Sequence, residues 1–298
     1  MERRLTQRGP GAPWNDLARI NTHHTRLLAR SLAQAAHLLT PTDPPHALTG
    51  VLHSRLDAHP HWHPQITARQ QDPAHRPCLA NQWLPPDTPT PSLERTLTGH
   101  TGLVNSVVIA PDGTWLASAG DDKLVRIWDR GSGTCTAALG GHTGWVESVV
   151  IAPDGTWLAS AGDDALVRIW DRGSGTCTAT LTGHTARVEA VAIAPDGTWL
   201  ATAGSDDTVR IWDRATETCT ATLTGHTHSV QSVAIAPDGM WLASAGGDGS
   251  VRVWAVAEQR TVAVVRAEGV LASCAWGKVD HELAAGGAQG VYLFALLT

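Results

Sequence analysis

A 42-residue repeat in the last two thirds of the chain constrains the fold of this 298-residue protein more than any other feature. The strings LTGHT or LGGHT begin at positions 97, 139, 181 and 223, and PDG follows at positions 111, 153, 195 and 237. Between these turns, apolar and polar residues alternate, as in TWLAS and LVRIW, which is the pattern of short β-strands. The sequence therefore predicts a fold assembled from a repeated all-β unit.

The amino-acid composition agrees with the repeat and limits the partners. The chain has 13 Trp but one Tyr and one Phe, because Trp recurs at fixed positions of the repeat. Residues 1–92 carry a net charge of +3 and residues 93–298 a net charge of -9. An acidic repeat region argues against nucleic acid or an anionic membrane as the main partner.

The repeat resembles a known family. A Gly-His pair near the start of a roughly 40-residue unit and a Trp-Asp pair near its end resemble the WD-repeat β-propellers. The resemblance covers residues 93–298 and implies a mainly β fold, with blades of four antiparallel strands and a protein-binding role. A helical segment before such a propeller is also similar to the C-terminal part of bacterial signal-transduction ATPases, and the Arg-rich, Lys-poor composition favours a bacterial source.

In the family that the repeat resembles, one Trp, one Ser or Thr, one His and one turn Asp of each blade form a hydrogen-bonded chain. Four copies of a Ser, His and Asp set at one period favour a structural network over a catalytic triad, because catalysis rarely needs four copies. The residues expected in these networks are His100, Ser118, Asp122 and Trp128; His142, Ser160, Asp164 and Trp170; His184, Thr202, Asp206 and Trp212; and His226, Ser244, Asp248 and Trp254.

A degraded fifth unit follows the four full repeats. It spans residues 271–294, with Ala288 in place of the turn Asp and Phe294 in place of the Trp. Terminal repeats are often atypical in this way. We therefore expect five blades, with residues 93–99 pairing with the last unit to complete its sheet and remove an exposed edge.

The first third of the chain predicts a small α-helical segment. Apolar residues recur at helical spacing over residues 14–39 and 46–57. The Pro-rich stretch 82–92 predicts an extended linker. The expected domains are thus an N-terminal helical segment (1–81), this linker and the propeller (93–298).

No motif for metal, cofactor or catalysis stands out. His59, His61 and His63 alternate in a Pro-rich segment, but they lack the complete, oriented ligand set of a metal site. Lys278 follows a Gly, but Val279 stands where a phosphate-binding loop needs Ser or Thr. We expect no enzyme activity, no metal and no cofactor.

The cysteines and the N-terminus bear on the compartment. Cys135, Cys177 and Cys219 occupy one repeat position, from which they cannot easily meet in disulfides, so we expect small buried thiols in a reducing compartment. The N-terminus has no apolar signal segment, and no stretch approaches 18 apolar residues. Both observations favour a cytoplasmic protein.

The differences between repeats predict a binding surface. Repeats 1 and 2 differ at only five of 42 positions: Thr98/Gly140, Leu103/Trp145, Asn105/Glu147, Lys123/Ala165 and Ala138/Thr180. The resemblance implies that three of these pairs lie on one rim of the propeller, the usual partner-binding face. The expected partner-binding residues are Leu103, Asn105, Asp121, Trp145, Glu147, Asp163, Arg187, Glu189, Ser229 and Gln231.

The sequence thus predicts a non-enzymatic protein-interaction scaffold. Its partner would be a protein or peptide with a basic or mixed-charge face, anchored by Trp145 and Arg187. The alternative is the sensor portion of a truncated or split signal-transduction ATPase. The sequence leaves the oligomeric state and the identity of the partner open.

Overall fold

A short helix precedes the repeats. The computed structural model describes residues 62–70, 95–278 and 282–296, and the chain divides into two units, Met1–Thr98 and Gly99–Thr298. In the first unit, helix α1 (His63–Gln70) begins after Trp62, whose carbonyl accepts hydrogen bonds from the N–H groups of Gln65 and Ile66, both at 3.0 Å.

The sequence pattern did not predict α1. Pro64 falls in its first turn, where a missing N–H costs nothing, so a Pro in this segment is compatible with a helix. The helices predicted over 14–39 and 46–57 and the linker predicted over 82–92 lie outside the described residues. No helix in the described ranges is long and apolar enough to cross a membrane.

In the second unit, the described strands form five antiparallel sheets, each made of strands that are consecutive in the chain. We call these sheets blades 1 to 5. Blade 1 contains β1 (Val104–Ile109), β2 (Trp115–Gly120), β3 (Leu124–Asp129) and β4 (Cys135–Gly140). Blade 2 contains β5 (Val146–Ile151), β6 (Trp157–Gly162), β7 (Val167–Asp171) and β8 (Cys177–Leu181). Blade 3 contains β9 (Val188–Ile193), β10 (Trp199–Gly204), β11 (Val209–Asp213) and β12 (Cys219–Leu223). Blade 4 contains β13 (Val230–Ile235), β14 (Trp241–Gly246), β15 (Ser250–Ala255) and β16 (Arg260–Arg266), and blade 5 contains β17 (Leu271–Trp276), β18 (Glu282–Gly287) and β19 (Gly290–Ala295).

The PDG string makes the turn between the first two strands of a blade. In blade 1, Gly113 has φ of 70°, a conformation that glycine adopts without strain, and its N–H donates to the Ala110 carbonyl at 2.8 Å. The Asp112 carboxylate accepts from the N–H and the hydroxyl of Thr114 at 3.0 and 2.8 Å. The same local chemistry explains why each repeat folds back at this point.

Successive blades pack face to face. The first strand of each blade packs on that of the next blade, from β1 through β5, β9 and β13 to β17. We call the side of a blade that faces the preceding blade its leading face, and the opposite side its trailing face. Between blades 1 and 2, Val125 and Ile127 of the trailing face pack against Val146 and Val149 of the leading face, and all four are buried. The hydrophobic core therefore lies between blades.

The mainly β propeller fold expected from the resemblance is confirmed, with five blades that include the degraded fifth unit. The expected closure by residues 93–99 is wrong for the described part of that segment, because residues 95–99 form no strand and blade 5 has three strands. The first strand of blade 5 is not among the strands that pack closely on β1, and Val107 of β1 is exposed.

The cysteines of the repeat are exposed rather than buried, which corrects the expectation from the sequence. Cys135, Cys177 and Cys219 begin the outermost strand of their blades, and no other described strand covers them. Each thiol sulfur lies 3.8–3.9 Å from an arginine of the neighbouring strand. Cys274, in the innermost strand β17, differs, because burial raises the pKa of its thiol to about 11.

Candidate functional site

The structure joins the Trp, Ser, His and Asp of each full repeat in one hydrogen-bonded chain. In blade 2, the Trp170 indole N–H donates to Ser160 Oγ at 2.8 Å, and Ser160 Oγ lies 2.8 Å from His142 Nε2. His142 Nδ1 lies 2.9 Å from Asp164 Oδ2. Because an indole only donates and a carboxylate only accepts, the serine hydroxyl donates to Nε2, and the Nδ1–H of a neutral histidine donates to the aspartate.

The other three full blades repeat this geometry closely. From indole nitrogen to hydroxyl oxygen the distances are 2.8 to 2.9 Å, and from hydroxyl oxygen to Nε2 they are 2.7 to 2.8 Å. From Nδ1 to the nearest carboxylate oxygen they are 2.9 to 3.1 Å. The residues are His100, Ser118, Asp122 and Trp128; His184, Thr202, Asp206 and Trp212; and His226, Ser244, Asp248 and Trp254.

Burial and hydrogen bonding shift the pKa values of these groups. Burial lowers the pKa of His142, His184 and His226 below 6.5, although the paired aspartates partly oppose the shift. Burial alone would raise the pKa of Asp206, but hydrogen bonds from Thr208, from the Thr185 N–H and from His184 lower it. At neutral pH, the His184–Asp206 and His226–Asp248 pairs are therefore each a neutral histidine beside a carboxylate.

The turn aspartate also fixes the loop that carries Gly-His. Asp164 Oδ2 accepts from the N–H of Thr143 at 3.0 Å, and the corresponding contacts in the other full blades span 3.1 to 3.3 Å. In blade 4, the Ser250 hydroxyl adds a bond of 2.8 Å to Asp248 and lies 3.2 Å from His226 Nδ1. Sequence reasoning missed Ser250, although a Ser or Thr two residues after the turn Asp was a usable signal.

These contacts position one edge of the blades, which we call the GH rim. It consists of the loops before the first strand of each blade and the turns between the second and third strands, which meet through the contacts of the turn aspartates. Because the strands are antiparallel, the PDG turns lie at the opposite edge. The expected partner-binding residues lie in or beside the loops and turns of the GH rim.

Trp145 is a partly exposed aromatic residue on the GH rim. Its side chain is 46% exposed, whereas the next residue, Val146, is fully buried. Its carbonyl accepts from the Asp163 N–H at 2.9 Å, and a Cβ at Gly162 would collide with the same carbonyl oxygen. The backbone under this indole is therefore fixed by the neighbouring turn.

Arg187 lies among three carboxylates that belong to blades 2 and 3. It forms an ion pair with Asp163 and lies 3.7 Å from Glu147 and 3.9 Å from Glu189. Burial raises the pKa of Glu147; Arg187 opposes this shift, and the nearby carboxylates Asp163, Glu189 and Asp121 add to it. The arginine compensates part of the negative charge, and the cluster stays acidic.

Polar contacts continue along the GH rim in both directions. The Ser205 hydroxyl donates to Glu189 at 2.6 Å and lies 2.9 Å from Ser229 Oγ, which accepts from the Gln231 amide at 2.7 Å. In blade 1, the Asn105 amide donates to Asp121 at 2.9 Å. Beside it, Leu103 is exposed and makes no polar side-chain contact.

The described residues contain no group of three His, Cys, Asp or Glu residues that could hold a metal. Of the three histidines considered for a metal site, His63 begins α1 and is exposed, while His59 and His61 lie outside the described residues. The polar side chains among the predicted rim and network residues form hydrogen bonds and ion pairs with one another.

Comparison with known proteins identifies the repeats. The family model "WD domain, G-beta repeat" matches residues 91–129, 133–171, 175–213 and 217–255, which is just over half of the chain. The chain belongs to the WD40-repeat family. The second, third and fourth WD40 matches each begin before the outermost strand of one blade and end with the third strand of the next, which is why the fourth strand of a blade comes from the following repeat.

Curated relatives match this WD40 chain over about one repeat. Ribosome biogenesis protein erb1 of Botryotinia fuckeliana is 52% identical over 42 residues, which is 14% of this chain and 6% of the relative. Notchless protein homolog of Arabidopsis thaliana is 56% identical over 36 residues, 12% of this chain and 8% of the relative. Small ribosomal subunit protein RACK1 of Medicago sativa is 46% identical over 41 residues, 14% of this chain and 13% of the relative. The matched stretch is thus a small part of each relative.

Replacing Asp164 with Ala should lower the free energy of unfolding by about 1–3 kcal/mol, because the Nδ1–H of the buried His142 loses its acceptor and the Thr143 N–H loses the bond that fixes its loop. Denaturant unfolding of the full chain measures this loss. The matched control is Glu258→Ala, which removes an exposed carboxylate 3.7 Å from Arg260 and should cost less than about 0.5 kcal/mol. Equal costs for the two variants would contradict a stabilising network.

Acid should destabilise the protein. The folded pKa of His142, His184 and His226 lies below 6.5, so the unfolded chain binds more protons as the pH falls through that range, and the free energy of unfolding decreases. Aspartates with lowered pKa, such as Asp206, add a further loss below pH 3.8. Thermal melts should give a lower Tm at about pH 5 than at about pH 7.5.

Histidine variants assign that pH effect to the network. His142→Gln should reduce the fall in Tm, whereas replacing the exposed His228 with Gln should leave it unchanged. A Tm that stays constant or rises on acidification would show that the buried histidines do not bind protons more weakly in the folded state.

Proposed function

We propose that this protein is an interaction scaffold that binds a basic segment of a protein partner on the GH rim of blades 1 to 3. WD40-repeat proteins generally mediate protein–protein interactions and are typically non-enzymatic, which supports the class of function. The names of two of these relatives refer to ribosome biogenesis and the ribosome, but matches of a single repeat carry neither role to this chain. The sensor portion of a split ATPase stays a prediction from the sequence.

The exposure of Trp145 is the observation that carries the proposal. An indole held on a fixed backbone offers a large apolar contact at little cost in conformational entropy, and such residues dominate the energetics of interfaces. Leu103 occupies the same repeat position in blade 1 and is also exposed, so two apolar side chains stand on neighbouring blades. A partner that covers both side chains buries more apolar surface than a partner that covers only one of them.

The charge of the GH rim defines the partner. Asp121, Glu147, Asp163 and Glu189 contribute four carboxylates, and Arg187 contributes one compensating cation. A Lys or Arg of a partner would therefore meet a net negative surface beside Trp145. Because Arg187 already contacts the carboxylates of its own chain, its main role in the proposal is to hold their side chains in place, and Trp145 is the anchor.

Peptide selection tests the proposal without a known partner. A displayed library of random peptides, selected on the immobilised full chain, should enrich sequences rich in Lys and Arg. For a selected peptide, Trp145→Ala should weaken binding by about 2 kcal/mol or more, roughly 30-fold in Kd, because the anchor is lost. The Tm should stay almost unchanged, because the indole is partly exposed.

The matched control is Met240→Ala. Met240 is also apolar and exposed, but it follows the PDG turn of blade 4 at the edge opposite the GH rim. Its replacement should leave the Kd unchanged. Selected peptides that bind Trp145→Ala as tightly as the parent chain, or that lack basic residues, would contradict the proposal.

A further inference from the structure

The two ends of the blade array expose residues that are buried in every internal blade. In blade 1, Val107 of β1 is 65% exposed, whereas Val149, at the same repeat position in blade 2, is 2% exposed. In blade 5, Leu293 of β19 is 79% exposed, whereas its counterpart Ile127 in blade 1 is fully buried. Val104 and Val291 are likewise exposed, at the leading and trailing ends.

The two end faces carry the same kinds of residue as the two sides of an internal joint. At each internal joint, the Val and Ile or Val pair on the third strand of one blade packs against the leading face of the next blade. The exposed leading face of blade 1 has the Val104 and Val107 side chains of such a surface. The exposed trailing face of blade 5 has the matching Val291 and Leu293. The two ends therefore present apolar side chains at the repeat positions that pack against each other at an internal joint.

A hydrogen bond that joins successive blades is also left open at both ends. The Val149 N–H donates to Ser106 Oγ of the preceding blade at 3.1 Å, and two more of the four joints repeat this bond. Val107 occupies the position of Val149, but no blade precedes it among the described residues. Ser273 occupies the position of Ser106 in blade 5 and is exposed, and its hydroxyl makes no hydrogen bond among the described residues. The donor and the acceptor left unpaired within the described part of the chain, the Val107 N–H and the Ser273 hydroxyl, are thus at opposite ends of the array.

The two end faces do not cover each other within one chain, because Val107 and Leu293 are both exposed there. We propose that the trailing face of blade 5 docks on the leading face of blade 1 of a second copy of this chain. The joint would repeat the contacts of the internal joints, with Ser273 of one copy accepting from the Val107 N–H of the other. Such a head-to-tail contact uses different surfaces on the two copies, so association can continue to larger assemblies or to a closed ring.

The size of the full chain in solution tests the proposal. Sedimentation over a range of protein concentrations should show species heavier than the 31.5 kDa monomer, with a fraction that grows with concentration. Val107→Glu and Leu293→Glu each place a charge in one half of the joint, and each variant alone should sediment as a monomer. Both sites are exposed in the single chain, so both variants should keep the parent Tm at concentrations at which the parent is monomeric.

Mixing the two variants distinguishes the proposed joint from non-specific association. Val107→Glu keeps an intact trailing face and Leu293→Glu keeps an intact leading face, so the mixture should form one joint and stop at twice 31.5 kDa. Met240→Glu, a charge at an exposed apolar residue outside both end faces, should assemble like the parent.

Two results would overturn the proposal. A parent chain that stays monomeric at all concentrations would mean that the end faces close on each other or need a different partner. A mixture of the two variants that stays monomeric, while the parent associates, would mean that association does not join blade 5 to blade 1. Either result leaves the proposed peptide binding at the GH rim untouched, because the two surfaces share no residues.

Discussion

Face-to-face packing between successive blades is the interaction on which the rest of this structure depends. A single sheet of three or four strands with two apolar faces has too little core to be stable alone. Stacking covers both faces, with buried valines such as Val149 on the leading side and residues such as Ile127 on the trailing side. As in other repeat proteins, each unit contacts only its neighbours, so the two ends are left uncovered.

The hydrogen-bonded chains connect buried residues of each full blade to the loops of the GH rim. In each full blade, a buried Trp donates to a buried hydroxyl, the hydroxyl bonds to the histidine of one loop, and that histidine bonds to the aspartate of a turn, as His142 does to Asp164 in blade 2. Because these bonds fix the backbone of the GH rim, the side chains on it can vary without loss of the fold. Repeats 1 and 2 vary there, and the substitution of Trp145 for Leu is the largest such change.

The sequence predicted the parts of the structure that depend on local pattern. The 42-residue period and the alternation of residues were sufficient for the strands, because each turn carries its own glycine and aspartate. The ring closure needed the angle between blades, which no local pattern encodes, and the exposure of Cys135 depends on which strand is outermost. Helix α1 has no apolar stripe long enough to predict it. The contacts of Arg187 with Glu147 and Asp163 cross between blades and could not be inferred from spacing.

The near-identity of the repeats allows a direct test of the central role of the joints. Val107 and Val149 stand at the same repeat position, in nearly the same local sequence, and differ in whether a preceding blade covers them. In dilute solution, Val149→Ala should lower the free energy of unfolding by about 2 kcal/mol, through lost burial and the cavity left behind. Val107→Ala should change it by less than about 0.5 kcal/mol. Equal losses for the two variants would contradict the account, because they would show that packing between blades does not set the stability of the array.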